Sequence, residues 1–210
     1  MLAVLTTATW LTASSSQAQA PAARKGGVLR VALIGEPPTL DAHATTAVIT
    51  REIVVNMYEG LFALDAKYQP VPLLAERAET LDGGKRYLVH LRNNVKFHNG
   101  KTLGAADVVA SLKRWGAVAS PGKSVFKNVG SVEAKGPLSV EIRLKEPSSA
   151  LLTILAQVDS AAVIYPKEIV DATGEGQLKE YIGTGPFKFV EHRPDRHIKL
   201  ARFDGYAARS

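Results

Sequence analysis

A mixed α/β (α+β) fold is what this sequence predicts, on three observations. LSVEIRL (138–144) alternates without a break, with Leu138, Val140, Ile142 and Leu144 on one side and Ser139, Glu141 and Arg143 on the other, the period of a half-buried strand. AADVVASLKRW (105–115) instead repeats Val108, Leu112 and Trp115 at helical spacing. Turns carrying Gly, Pro or Asn separate such segments, so hairpins and helices are interspersed rather than grouped. With 210 residues, 46% of them hydrophobic, the chain can bury a substantial core. It holds no internal repeat and no low-complexity tract.

Residues 1–20, MLAVLTTATWLTASSSQAQA, carry no charge and pass from an apolar segment through Ser and Thr to small residues. That is the pattern of a signal peptide without its basic leader. Cleavage after Ala18 is favoured over Ala20, because Pro21 would directly follow the second cut. After the linker PAARKGG, VLRVALI (28–34) is apolar enough for a buried strand. The prolines of GEPPTLDAH forbid a helix there. From about Thr46 a helix is expected, with Ile49, Ile53 and Met57 at i, i+4, i+8 and Gly60 as its stop.

HLRNNVKFHNG (90–100) raises a question of chemistry, because two histidines eight positions apart could ligate a metal. A three-residue loop over Arg92, Asn93 and Asn94, with Asn94 left-handed, would make a hairpin in which Leu91 faces Val95 and Val89 faces Phe97. His90 and His98 would then be diagonal neighbours, roughly 7–8 Å apart. Lys96 stands where a third ligand would be wanted, and zinc takes three or four His, Cys or carboxylate ligands, so no metal is expected.

Beyond the helix at 105–115, whose Asp107 favours the positive N-terminal end, Gly136-Pro137 turns into the alternating strand. A helix around SSALLTILAQ, a strand near AAVIY, a helix started by Pro166 and a strand launched by GTGPF follow.

The formal charge of +6 is spread among acidic residues rather than clustered, which argues against nucleic-acid binding. The absence of cysteine excludes disulfides, Cys-ligated zinc and lipidation at an N-terminal cysteine. No later segment approaches the ~20 apolar residues of a membrane span, so a soluble protein outside the cytoplasm is expected. No G-x-S-x-G elbow or P-loop occurs, and GTGPF lacks the later glycine of a dinucleotide loop. In HRPDRH (192–197) the interleaved arginines oppose a bound cation, which favours a solvated turn between strands. Asp41 and His43 have no serine placed to complete a relay, so a local hydrogen bond is the expectation. Neither a catalytic residue nor a cofactor is assigned.

Taken in order, EPPTLDAH (36–43), YEGL (58–61), PVPLLAE (70–76), KRYLVHLRNNVKFHNGKTLGAADVVASLKRW (85–115), YPKEIV (165–170) and GTGPFKF (183–189) resemble the family 5 extracellular solute-binding proteins of ABC importers. Gly104 departs from the family's usual threonine, which as a helix cap matters by only a few tenths of a kcal/mol. Ala207 stands where an aromatic commonly follows the tyrosine. The resemblance implies a periplasmic-binding-protein type II-like lobe one with an inserted accessory subdomain, the second lobe missing. Mapped here, 27–45 would start lobe one, 46–180 would be the accessory subdomain, and 181–210 would return to lobe one, truncated.

It also implies function. Such proteins capture a peptide or similar small solute between two lobes that close about a hinge, then deliver it to an inner-membrane ABC permease complex. A periplasmic monomer, when full length, is expected. The loop after Leu40-Asp41 would line the cleft, which makes Ala44, Thr45, Thr46, Ala47 and Val48 the candidate ligand contacts. Thr45 or Thr46 can also cap the following helix. Within the resemblance, a nickel complex, an opine or an oligosaccharide is the alternative ligand, and a secreted hydrolase using the histidines is the rival of a different class.

Overall fold

The computed structural model describes residues 26–207, so the expected signal peptide lies outside the described residues. The chain divides into two units after Ala32. In the first, residues 26–32 run without regular structure, and Val28 and Leu29 are 85% and 89% exposed. The strand expected over 28–34 therefore does not form; Leu33 and Ile34, at the start of the second unit, are exposed too. An apolar run becomes a strand only where another strand satisfies its N–H and C=O groups, and among the described residues none pairs with it.

The second unit centres on a four-stranded antiparallel sheet, β3-β4-β6-β5 in spatial order. Its strands are β3 (Ala75–Leu81), β4 (Arg86–Leu91), β5 (Val129–Ala134) and β6 (Ser139–Leu144). The alternation of 138–144 holds on its apolar side, where Val140, Ile142 and Leu144 are buried; on the other side Arg143 is exposed, but Glu141 is buried beneath Arg86, Lys135 and Arg143, which pair with its carboxylate. Val89 sits opposite Val140, and Tyr87 and Val132 sit opposite Ile142, which places these apolar side chains on one face. Against that face lies α2 (Ala105–Val118), through Val108, Leu112 and Trp115. Burying side chains of this size stabilises by roughly 1.5–3 kcal/mol each. Trp115 meets the cost of hiding its indole N–H by donating it to Ser160 O at 2.5 Å.

The remaining elements lie outside the sheet and α2. β1 (Phe62–Leu64) and β2 (Pro70–Pro72) form a small hairpin, in which proline is tolerated because the pair has free edges. α3 (Ser120–Phe126) packs on α2, where the absent side chain of Gly116 leaves room for the Phe126 ring. α4 (Leu151–Ala156) and α5 (Lys167–Thr173) occupy the stretches expected to be helical, and Pro166 is the N-cap of α5. The strand expected near AAVIY reduces to a single bridge between Gly60 and Val163. β7 (Phe187–Arg193) and β8 (His197–Arg202) make the hairpin foreseen around HRPDRH, turning at Asp195 with φ 58°.

The hairpin foreseen over 88–98 is a correction. Asn94 is left-handed, with φ 60°, but the chain leaving it does not return along β4. Both edges of β4 are taken, by β3 and β6, and long-range pairing overrides the local turn. Residues 95–103 instead close on themselves, with Leu103 N donating to Val95 O, Phe97 N to Lys101 O, and Lys96 bridging Thr102. Val95 and Phe97 are buried all the same.

Candidate functional site

The candidate segment emerges from a turn fixed by its own backbone. Ala44 N donates to Asp41 O at 3.1 Å, and the Asp41 carboxylate accepts His43 N at 3.1 Å. Past it, Ala44, Thr46 and Val48 are exposed while Thr45 and Ala47 are half-buried. The structure thus brings these residues together on one short surface segment leading into α1 (Val48–Val54), a helix shorter than Gly60 suggested. Neither threonine caps α1. Ala47 is the N-cap and makes no side-chain cap bond, while Thr45 Oγ1 accepts Ala47 N at 3.1 Å, a local turn that competes with capping. The segment offers methyls, hydroxyls and main-chain groups, and no charge.

Directly beneath lies a buried charge pair that sequence reasoning missed. Arg114, on α2, reaches Asp41 with Nη1 at 3.1 Å and Nη2 at 2.6 Å, and the two side chains are 2% and 0% exposed. This is the planar two-point match for which arginine is suited. The same guanidinium donates to Gly174 O at 2.8 Å and Gly176 O at 2.6 Å. Leu178 N and the Tyr165 hydroxyl also approach the Asp41 carboxylate, each at 3.4 Å, and Ala42 N donates to the Tyr165 hydroxyl oxygen at 3.0 Å. A signal for Arg114 was present in the sequence. Asp107, Ser111 and Arg114 recur at i, i+4, i+7 beside the Trp115 stripe, and all three are buried. Ser111 bonds the Tyr165 backbone, and Asp107 accepts Lys101 Nζ, Gly104 N and Lys167 N. Asp107 thus makes half of a capping box with the glycine at 104.

His43 is enclosed by the same cluster. Its Nε2 lies 3.1 Å from Val163 O, and a carbonyl can only accept, so Nε2 carries the proton and Nδ1 is a bare acceptor with no partner among the described residues. Burial pushes its pKa down to about 4, with Arg114 adding to the fall and Asp41 opposing it. Burial likewise raises the Tyr58 and Tyr165 hydroxyls well above their usual range.

The other histidines are also engaged. His98 Nε2 donates to Gly185 O at 3.0 Å while its Nδ1 accepts Gly183 N at 3.2 Å, so both ring nitrogens of a neutral imidazole are used. Burial lowers its pKa, and Lys188 lowers it further. His90 bonds Glu79 and Ser139 across the sheet. His192 pairs with Glu36, and His197 with Glu191. His90 and His98 are therefore not the diagonal pair a hairpin would have made, and among the described residues no group of metal-ligating side chains gathers.

The glycines of GTGPF have a packing reason. A Cβ on Gly183 would stand 2.2 Å from Met57 O, and one on Gly185 2.7 Å from Met57 C. Gly185 N donates to Met57 O at 2.9 Å, a backbone approach that excludes any side chain. A depression of about 390 Å³ lies elsewhere, among Glu76, Asn94, Lys96, Leu138 and Gly205, and residues 44–48 take no part in it.

Residues 69–210 match the family described as bacterial extracellular solute-binding proteins, family 5 Middle, and this chain belongs to that family. A glutathione-binding protein, GsiB, of Escherichia coli K12 is 33% identical over 170 residues, which cover 80% of this chain and 33% of that protein. Among solved structures, the oligopeptide-binding protein AppA of Bacillus subtilis, in complex with a nonapeptide, is similar with TM-score 0.73 and 32% identity, over 83% of this chain and 36% of that one. The binding protein AgaA from A. tumefaciens R10, in complex with agropinic acid, gives TM-score 0.72 and 32% identity, over 83% and 35%. The fold is thus the mixed α/β arrangement of periplasmic binding proteins, here as part of a lobe, and the chain spans about a third of the length of these relatives.

Proposed function

We propose that the protein of which these residues are part is the solute-capturing component of an ABC import system, taking peptides or a similar small solute outside the cytoplasm and delivering it to an inner-membrane permease. The carrying observation is the family match over residues 69–210. Relatives named for glutathione and for a nonapeptide favour a peptide ligand. The complex with agropinic acid in another keeps an opine as the second choice. Lobe one would comprise 27–45 and 181–210 around an accessory subdomain at 46–180, with an opposing lobe completing the clamp. No helix among the described residues is long and apolar enough to cross a membrane, in keeping with a periplasmic protein.

In this reading Ala44, Thr45, Thr46, Ala47 and Val48 touch the solute. An uncharged segment presenting hydroxyls and main-chain groups suits a ligand held by backbone hydrogen bonds, which tolerates varied side chains. No enzymatic step is assigned: among the described residues His98 spends both ring nitrogens on backbone groups, His43 is enclosed in the core, and His90, His192 and His197 each pair with a glutamate.

The test is to purify the intact gene product and identify co-eluting small molecules by mass spectrometry. Retained peptide without turnover is the expected result. Peptide cleavage abolished by His98→Ala would replace the transport reading with a hydrolase.

A further inference from the structure

We infer that Asp41 and Arg114 are positioning residues for the solute-contacting segment Ala44–Val48, and this rests on the assignment of that segment under the proposed function. The segment is tied down on both sides. Upstream, Asp41 anchors the turn through His43 N and Ala44 N, and Thr39 O accepts the Thr50 hydroxyl at 2.8 Å. Downstream, α1 packs through Ile53 and Val54, and Arg51 pairs with Asp159 at 2.9 Å. The segment's own side chains contribute little, since the only side-chain bond within it is the Thr45 turn. What sets its height and direction is therefore where Asp41 sits, and Arg114 sets that.

Arg114 is suited to the task by what it joins. Its guanidinium links the Asp41 carboxylate to the carbonyls of Gly174 and Gly176, while Leu178 N and Tyr165 Oη close the remaining sides. The loop at 174–178 and α2 thus register the turn at Asp41 in a single geometry. Lysine, with one point of charge, cannot span both carboxylate oxygens and both carbonyls. A pair that served only to hold the fold together would act on stability alone. A pair that aims a binding segment must also change how well solute is held by protein that remains folded.

These 210 residues hold no cysteine, so Thr46→Cys supplies a nitroxide site within them, any cysteine elsewhere in the intact protein being first replaced by serine. Label mobility is read by electron paramagnetic resonance in the intact protein, in the parent, Arg114→Lys and Asp41→Asn backgrounds. Val140→Ala, in the sheet core, is the control for destabilisation without disturbance of the turn. The probes are glutathione and a mixture of short peptides. Under native conditions the label should become several-fold more mobile in Arg114→Lys and in folded Asp41→Asn and stay unchanged in Val140→Ala, with solute affinity at least tenfold weaker in the first two and unchanged in the control. Equal mobility in parent and Arg114→Lys overturns the positioning role. Released mobility with unchanged affinity for a probe the parent binds also overturns it. A label at 46 that never responds to a bound probe, in any background, sinks the contact assignment itself and is recognisable separately. Arg114→Lys retains a charge for Asp41, so the measurement survives if Asp41→Asn does not fold.

Discussion

The two cores among the described residues are built on opposite principles. Around the sheet, Val89, Val140, Ile142, Leu112 and Trp115 interlock as hydrocarbon, and the Trp115 N–H is satisfied by a single carbonyl. Around Tyr165, apolar residues such as Leu40, Met57 and Ile169 enclose an ion pair, a neutral histidine and two tyrosines. The first is held by area and tolerates small losses. The second is held by geometry, because each buried polar group depends on its partner, and losing one leaves the other uncompensated. The turn carrying residues 44–48 rests on the second.

Four measurements sharpen the contrast. The largest effect is expected from Arg114→Ala, which leaves the Asp41 carboxylate buried without its counter-ion and should cost about 3–5 kcal/mol in urea unfolding. A loss below about 1 kcal/mol would show that water reaches the site. Next is pH. The folded-state pKa of His43 is depressed from 6.5 to about 4, so the stability tied to its neutral form is complete above pH 6.5 and drains away as pH falls towards 4, by about 3 kcal/mol in all. The lowered pKa of His98 acts in the same direction. Histidine NMR should show the His43 ring neutral at pH 5.5, and titration near 6.5 would contradict its burial.

Val140→Ala removes two methyl groups from a fully buried site in the first core and should cost about 2 kcal/mol without altering the pH dependence. A pH profile that moved with it would couple the two cores. Smallest is Lys167→Ala, which deletes an exposed i,i+4 pair with Asp171 and should change stability by less than about 0.5 kcal/mol. A larger loss would mean that this end of α5 is held by its side chain rather than by the Lys167 N–H that Asp107 accepts.

The local periodicities were legible wherever one element buries one face. Val140, Ile142 and Leu144 follow period two, and Val108, Leu112 and Trp115 follow the helical spacing. The turn at Asp195 and the left-handed Asn94 were legible as well. The partner of β4 was not, because a turn fixes only its own dihedrals, while β3 and β6, drawn from either side in sequence, compete for the same edges. Asp41 and His43 were visible as a local contact, yet their partners lie 73 and 120 positions away. Spacing within one segment carries no information about such distances.

By itself, then, the sequence determined the alternation of apolar and polar residues, the turns that glycine, proline and asparagine permit, and the motifs that mark the family, since all of these act through neighbours along the chain. Tertiary structure alone decided which strands pair, that 28–34 stays unpaired among the described residues, that Gly183 must lack a side chain beside Met57, and that Arg114 lies beneath the turn at Asp41. Those outcomes depend on burial and on charges meeting across long stretches of chain, and their energies exist only once the fold has closed around them.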